Sequence, residues 1–239
     1  MKTKTKFLNC AMALMLILQF TSCEDGEDGA IGPQGPQGEQ GSQGEQGIPG
    51  EDGMDANSND VVTMTDVLSP ITNEVVGSST LTRSEDQIMT RFETSMLTPS
   101  YAYTLWWLVV NQPENCMTSP CGLADFANPD ISVDVLFVSG RVANQSGEAI
   151  FTGVLLENDG TTSVNDQLGL PIDVGGLQDT QTAQIHVVLR SHGPAQTGLV
   201  DEQISMYTGG CSTLFPPFSE IPDAVGECGD IQVAIHLEL

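Results

Sequence analysis

Residues 183–191 read Ala-Gln-Ile-His-Val-Val-Leu-Arg-Ser, and residues 231–238 read Ile-Gln-Val-Ala-Ile-His-Leu-Glu. Side-chain character alternates along both. Ile231, Val233, Ile235 and Leu237 point one way, and Gln232, Ala234, His236 and Glu238 the other. Ala183, Ile185, Val187 and Leu189 likewise oppose Gln184, His186, Val188 and Arg190. Period two is the signature of an extended strand with its two sides in different surroundings. The expectation is a pair of strands that each bury one apolar face.

Working outward, similar runs recur, separated by clusters of Gly, Pro, Asn and Asp. They fall at Val61–Val67, Ser78–Arg83, Ile88–Thr94, Ala102–Val110, Ile131–Val142 and Ala149–Leu156. Helical spacing is hard to find. Residues 57–239 therefore read as one all-β domain, a β-sandwich or jelly-roll-like head. Ala102–Val110 (AYTLWWLVV) is apolar on both faces, so it belongs at the centre of a sheet. Trp106 and Trp107 must then point to opposite sides. One fills the core and the other lies under a loop or at an interface; an exposed tryptophan in a carbohydrate groove is the alternative.

The globular part holds Cys116, Cys121, Cys211 and Cys228. Four cysteines in an exported chain imply two disulfides, with three pairings open. Cys116–Cys121 is favoured, because it pinches the turn after the central strand. Cys211–Cys228 would then close a loop carrying Pro216, Pro217 and Pro222. C-x₄-C without a second close pair is poor spacing for zinc.

The N-terminal side is built differently. Residues 1–22 carry Lys2, Lys4 and Lys6, then an apolar run from Phe7 to Phe20 too short to span a bilayer. That is the layout of an export signal, expected to be helical. Phe20-Thr21-Ser22-Cys23 resembles the lipobox of bacterial lipoproteins, and this resemblance implies acylation at Cys23. Glu24-Asp25 is similar to the acidic export tag of Bacteroidetes-type surface lipoproteins. The implied location is the outer membrane, lipid-anchored at the cell surface.

Residues 23–56 are a stalk. Glycine falls at Gly26, Gly29, Gly32, Gly35, Gly38, Gly41, Gly44, Gly47, Gly50 and Gly53. Strict period three suits three polyproline-II chains meeting on one axis, where only hydrogen fits. The segment resembles the collagen-like repeats of bacterial surface proteins, which implies a homotrimer. Ten triplets would extend to roughly 90 Å at about 3.1 Å per residue. Few prolines and unpartnered acids weaken the rod, and a flexible linker is the alternative.

The formal net charge is −25, with 32 acidic residues. Every lysine lies in the leader, leaving Arg83, Arg91, Arg141 and Arg190. Such a surface repels phosphate backbones and excludes a nucleic-acid partner. No G-x-S-x-G, H-E-x-x-H or phosphate-loop pattern occurs, so no catalytic residue and no enzyme activity is assigned. His186, His192 and His236 are the candidate metal ligands, joined by an acid such as Asp201 or Glu202 if their strands are neighbours. The string from Ile185 to Ala195 resembles the His-rich end of chordin-type β domains, which implies no catalytic role. Calcium is the one cofactor for which turns supply oxygens, at Glu157–Gly160 and Asn128–Asp130. The functional expectation is a lipid-anchored, trimeric structural or adhesion protein that contacts matrix. The alternatives are a surface module binding glycans or other ligands, and a metal-dependent enzyme.

Overall fold

The computed structural model describes residues 59–128, 130–172 and 175–239. The leader, Cys23 and the ten stalk glycines lie outside the described residues. Among the described residues, no helix is long and apolar enough to cross a membrane.

The domain is all-β. Its long strands are β1 (Val61–Leu68), β2 (Val75–Arg83), β3 (Gln87–Thr94), β4 (Tyr101–Val110), β5 (Val133–Val142), β6 (Ala149–Leu156), β7 (Gln184–Pro194) and β9 (Glu227–His236). A two-residue strand, β8 (Thr213–Leu214), pairs parallel with β9. Two short helices, α1 (Asn165–Leu168) and α2 (Val200–Gln203), sit in connections. All eight expected strands are present. The last one starts earlier than its alternation suggests and ends at His236.

The strands form one antiparallel sheet in the order β5-β4-β7-β9-β1-β2-β3-β6. The all-β expectation is met, with the long strands joined in one sheet curled almost into a barrel. The link is narrow: β9 meets β1 at a single residue pair, Leu68 and Val233. Two four-stranded halves, β5-β4-β7-β9 and β1-β2-β3-β6, therefore fold over a shared core. Phe92, Phe151, Leu81 and Ile88 come from one half. Tyr103, Leu105, Trp107, Ile185, Val187 and Leu189 come from the other. Trp107 is sealed in this core, where its indole N–H donates to Thr90 Oγ1 at 2.7 Å. The hydrogen bond satisfies the one polar atom of a large apolar side chain, as burial requires.

Connections differ sharply between the halves. Those at 69–74, 84–86, 95–100 and 143–148 are short. Those at 111–132, 157–183 and 195–226 are long. The long ones are held down by buried polar side chains. Asp125 accepts from the backbone N–H of Met117 and of Gly122, both at 2.8 Å. Asn165 accepts from Val135 N–H at 2.9 Å and donates to the carbonyl of Val133 at 2.8 Å. It thereby blocks the open edge of β5, which would otherwise present unpaired backbone groups. Gln203 donates to the carbonyls of His192 and Pro194. At Gly140 on β5, a Cβ would lie 1.8 Å from the carbonyl oxygen of Ile204. Only glycine admits so close an approach by the covering loop.

Candidate apolar cleft

The long connections cover the outer face of β5-β4-β7-β9. Consequently β7 is buried on both faces, not one. Ile185, Val187 and Leu189 point to the inner core, while Gln184, His186, Val188, Arg190 and His192 lie on the covered outer face. The expectation of one buried face fails for β7, because alternation reports the chemistry of a face and not what later lies on it.

On β9 the two faces are exchanged. Gln232, Ala234 and His236 are the buried, inward set, whereas Ile231, Val233 and Ile235 are only partly buried. Val233 and Ile235 look outward, into a cleft of about 990 Å³. Its floor also holds Trp106 and Leu108 of β4, Val135 of β5, and His186 and Val188 of β7. Its walls come from all three long connections, through Phe126, Leu170 and Tyr207 among others. A mostly apolar concavity with a few polar groups is the usual form of a small-molecule site, and this one is at the upper end of the usual size.

A register shift between Leu189 and Arg190 places one extra residue in β9. Past it, Asp230 lies opposite Arg190. The bulge thus re-aims the even-numbered residues of β9 outward, and Asp230 lines the cleft. Arg190 and Asp230 form an ion pair at 2.6 Å, with side chains 2 % and 8 % exposed. The guanidinium also donates to the carbonyl of Tyr207 at 2.9 Å and to its hydroxyl at 3.2 Å, and stacks on its ring at 4.0 Å. Burial pushes the Tyr207 hydroxyl up to about 12, so it stays a neutral O–H.

Trp106 packs edge-on against Phe137 and Tyr207, with ring centroids 5.3 and 5.1 Å away. Its indole N–H donates to Thr104 Oγ1 at 2.7 Å. Trp106 and Trp107 do point to opposite sides, one under loops and one in the core. Each is buried, so neither forms an exposed stacking platform.

The candidate metal ligands are not brought together. His236 is on the inner face, with its ring nitrogens 2.9 Å from Thr63 Oγ1 and from Ser79 Oγ. His186 and His192 share the outer face but lie six residues apart along β7. His192 Nε2 is 2.7 Å from Thr104 Oγ1, and Nδ1 is 2.9 Å from the carbonyl of Gly209. The Gly209 carbonyl can only accept, so Nδ1 carries the hydrogen it donates there, and the neutral ring's Nε2 accepts from the Thr104 hydroxyl. Its neighbours are Cys211 and Cys228, whose sulfurs lie 3.6 and 3.7 Å from Nδ1. Those sulfurs are bonded to each other, as are those of Cys116 and Cys121. The arrangement is a satisfied hydrogen-bond chain beside a disulfide, and no thiolate is on offer. Burial drives all three imidazoles down to about 4, which keeps them neutral. Asp201 and Glu202 are exposed on α2 and join no such group.

The calcium candidates are turns closed on themselves. Asp159 Oδ1 accepts from the backbone N–H and hydroxyl of Thr161, and Glu157 Oε1 from Thr180 N–H. Asn128 Oδ1 accepts from Asp130 N–H at 3.1 Å. Sequence reasoning missed the cleft altogether, although the three long Gly- and Pro-containing connections were its one available signal. No family model, curated protein or solved structure matches the chain.

Proposed function

We propose that the chain is a lipid-anchored bacterial surface protein whose β-domain binds an apolar ligand in the cleft above β4, β7 and β9. The lipobox-like residues ending at Cys23 support export, acylation and residence on the outer membrane. The Gly-X-Y segment supports a trimeric stalk that holds a sandwich- or jelly-roll-like head away from the surface. One observation carries the binding reading: a cleft of about 990 Å³ floored by Trp106, Leu108, Val188 and Val233. An apolar concavity of that size left to water costs free energy roughly in proportion to its area, and a ligand recovers it.

The test is titration with N-phenyl-1-naphthylamine, a neutral dye that fluoresces in apolar surroundings. Saturable enhancement near one dye per head, with energy transfer from Trp106, is expected. Val233→Phe, which fills the floor, should weaken it by about tenfold. Enhancement that never saturates, or that Val233→Phe leaves unchanged, removes the binding reading.

A structural or adhesive role is the second reading, favoured by the ten unbroken glycine triplets. It predicts a trimer by light scattering that Gly38→Ala with Gly41→Ala converts to monomer. A monomer at every concentration and salt level for the unsubstituted chain rejects it.

A further inference from the structure

We infer that the cleft selects an uncharged, elongated apolar molecule with a hydrogen-bonding group at each end, held between His186 and Asp230. This rests on the cleft being a ligand site and adds what the site would recognise.

The His186 end is defined by a relay from the first disulfide loop. The backbone N–H of Cys121 donates to Gln184 Oε1 at 3.2 Å. That orients the amide, so Gln184 Nε2 is the donor to His186 Nε2. An imidazole that accepts at Nε2 and is neutral carries its proton on Nδ1. That N–H has no partner among the described residues. His186 is 7 % exposed and lines the cleft.

The Asp230 end offers an acceptor and a donor together. One carboxylate oxygen takes Arg190, and the second has no partner among the described residues. Asp230 is 6 % exposed and lines the cleft. Tyr207 accepts from Arg190 and keeps its own hydrogen to donate. A terminal hydroxyl fits this pair, donating a hydrogen bond to Asp230 and accepting one from Tyr207. Among the described residues, the sealed side-chain atoms without a partner are Arg83 Nε and Ser139 Oγ. His186 Nδ1 and the second oxygen of Asp230 are not among them, and both residues line the cleft.

Geometry and charge narrow the class. Arg190 lies opposite Asp230, four residues along β7 from His186, which is roughly 13 Å at about 3.3 Å per residue. Val188, Val233 and Ile235 line the stretch between. Asp230 is neutralised by Arg190 and His186 is neutral, so neither end presents an unpaired charge. A net charge of −25 further opposes an anionic ligand. Fatty-acid-like carboxylates are thereby disfavoured against neutral, two-ended molecules.

The experiment is displacement of N-phenyl-1-naphthylamine from the full chain by α,ω-alkanediols of stepped length, beside 1-alkanols and alkanoates of equal carbon number. Diol affinity should peak at one intermediate length. There it should exceed the matching alkanol by roughly three- to tenfold, the worth of one hydrogen bond. Alkanoates should bind weakest. His186→Phe should remove the advantage of the diol over the alkanol of equal length. Alkanols matching diols at every length, or alkanoates binding best, would overturn the selection but leave the cleft a ligand site. Absence of saturable dye binding would instead overturn the site itself. Should His186→Phe fail to fold, the length series on the unsubstituted chain decides.

Discussion

The two halves of the sheet have similar strands and opposite fates. In β1-β2-β3-β6 the strands alternate between a buried and a more open face, as at Ala149–Leu156, where Ala149, Phe151 and Leu155 are buried and Ile150, Val154 and Leu156 exposed. In β5-β4-β7-β9 the long connections cover the second face, and β7 is buried throughout. The covered half accordingly carries His186, His192, Arg190 and Asp230 under cover, each provided with partners. Among the described residues, the outer face of the open half carries one ion pair, Arg91–Glu93, with side chains 50 % and 45 % exposed. Loop length, more than strand composition, separates the covered face from the solvent face.

The largest effect expected from this difference is in acid. His186 and His192 on the covered face, and His236 in the core, titrate near 6.5 when unfolded and near 4 when folded. Between those values unfolding takes up a proton at each histidine. Their contribution is full above pH 6.5 and is lost as pH falls toward 4. Each is worth on the order of 3 kcal/mol. Arg190 near His192 and Arg83 near His236 act in the same direction, by repelling the protonated form. Urea midpoints should therefore drop steeply from pH 7 to 4.5. Midpoints that stay level over that range would mean the covering loops do not exclude water.

Next come the two ion pairs. Asp230→Ala leaves the Arg190 guanidinium buried without its counter-charge, and should cost about 3–5 kcal/mol. Glu93→Ala removes an exposed partner and should cost at most about 1 kcal/mol. Equal losses in chemical unfolding would erase the distinction between the halves.

The smallest effect is a matched pair of identical substitutions. Val188→Thr puts a hydroxyl on the covered face and should cost about 1–2 kcal/mol. Val154→Thr on the open face should stay within about 0.5 kcal/mol. Their difference in melting temperature sharpens the comparison without disturbing a charge.

The strands were legible, because β-branched and aromatic runs between turn residues are a local signal. The central place of Ala102–Val110 and the opposed tryptophans followed from strand geometry alone. The side of β9 that faces inward did not. Its more apolar residues, Val233 and Ile235, turned outward because another layer of loops made the outside apolar too. The role of Asp230 was hidden as well, since a bulge between distant residues in sequence reverses the facing of β9 beyond it. His186, His192 and His236 looked like a set because neighbouring strands could have gathered them. Pairing His236 with Ile185 instead puts it on the opposite side from His186.

By itself the sequence determined the all-β class, the strand positions and the acidic surface. Each rests on periodicity or composition, which survives any arrangement of the chain. Only the tertiary structure decided which faces are covered, where the cleft lies and which polar groups share it. Those depend on register and on where long connections land, and both are properties of residues far apart in sequence meeting in space.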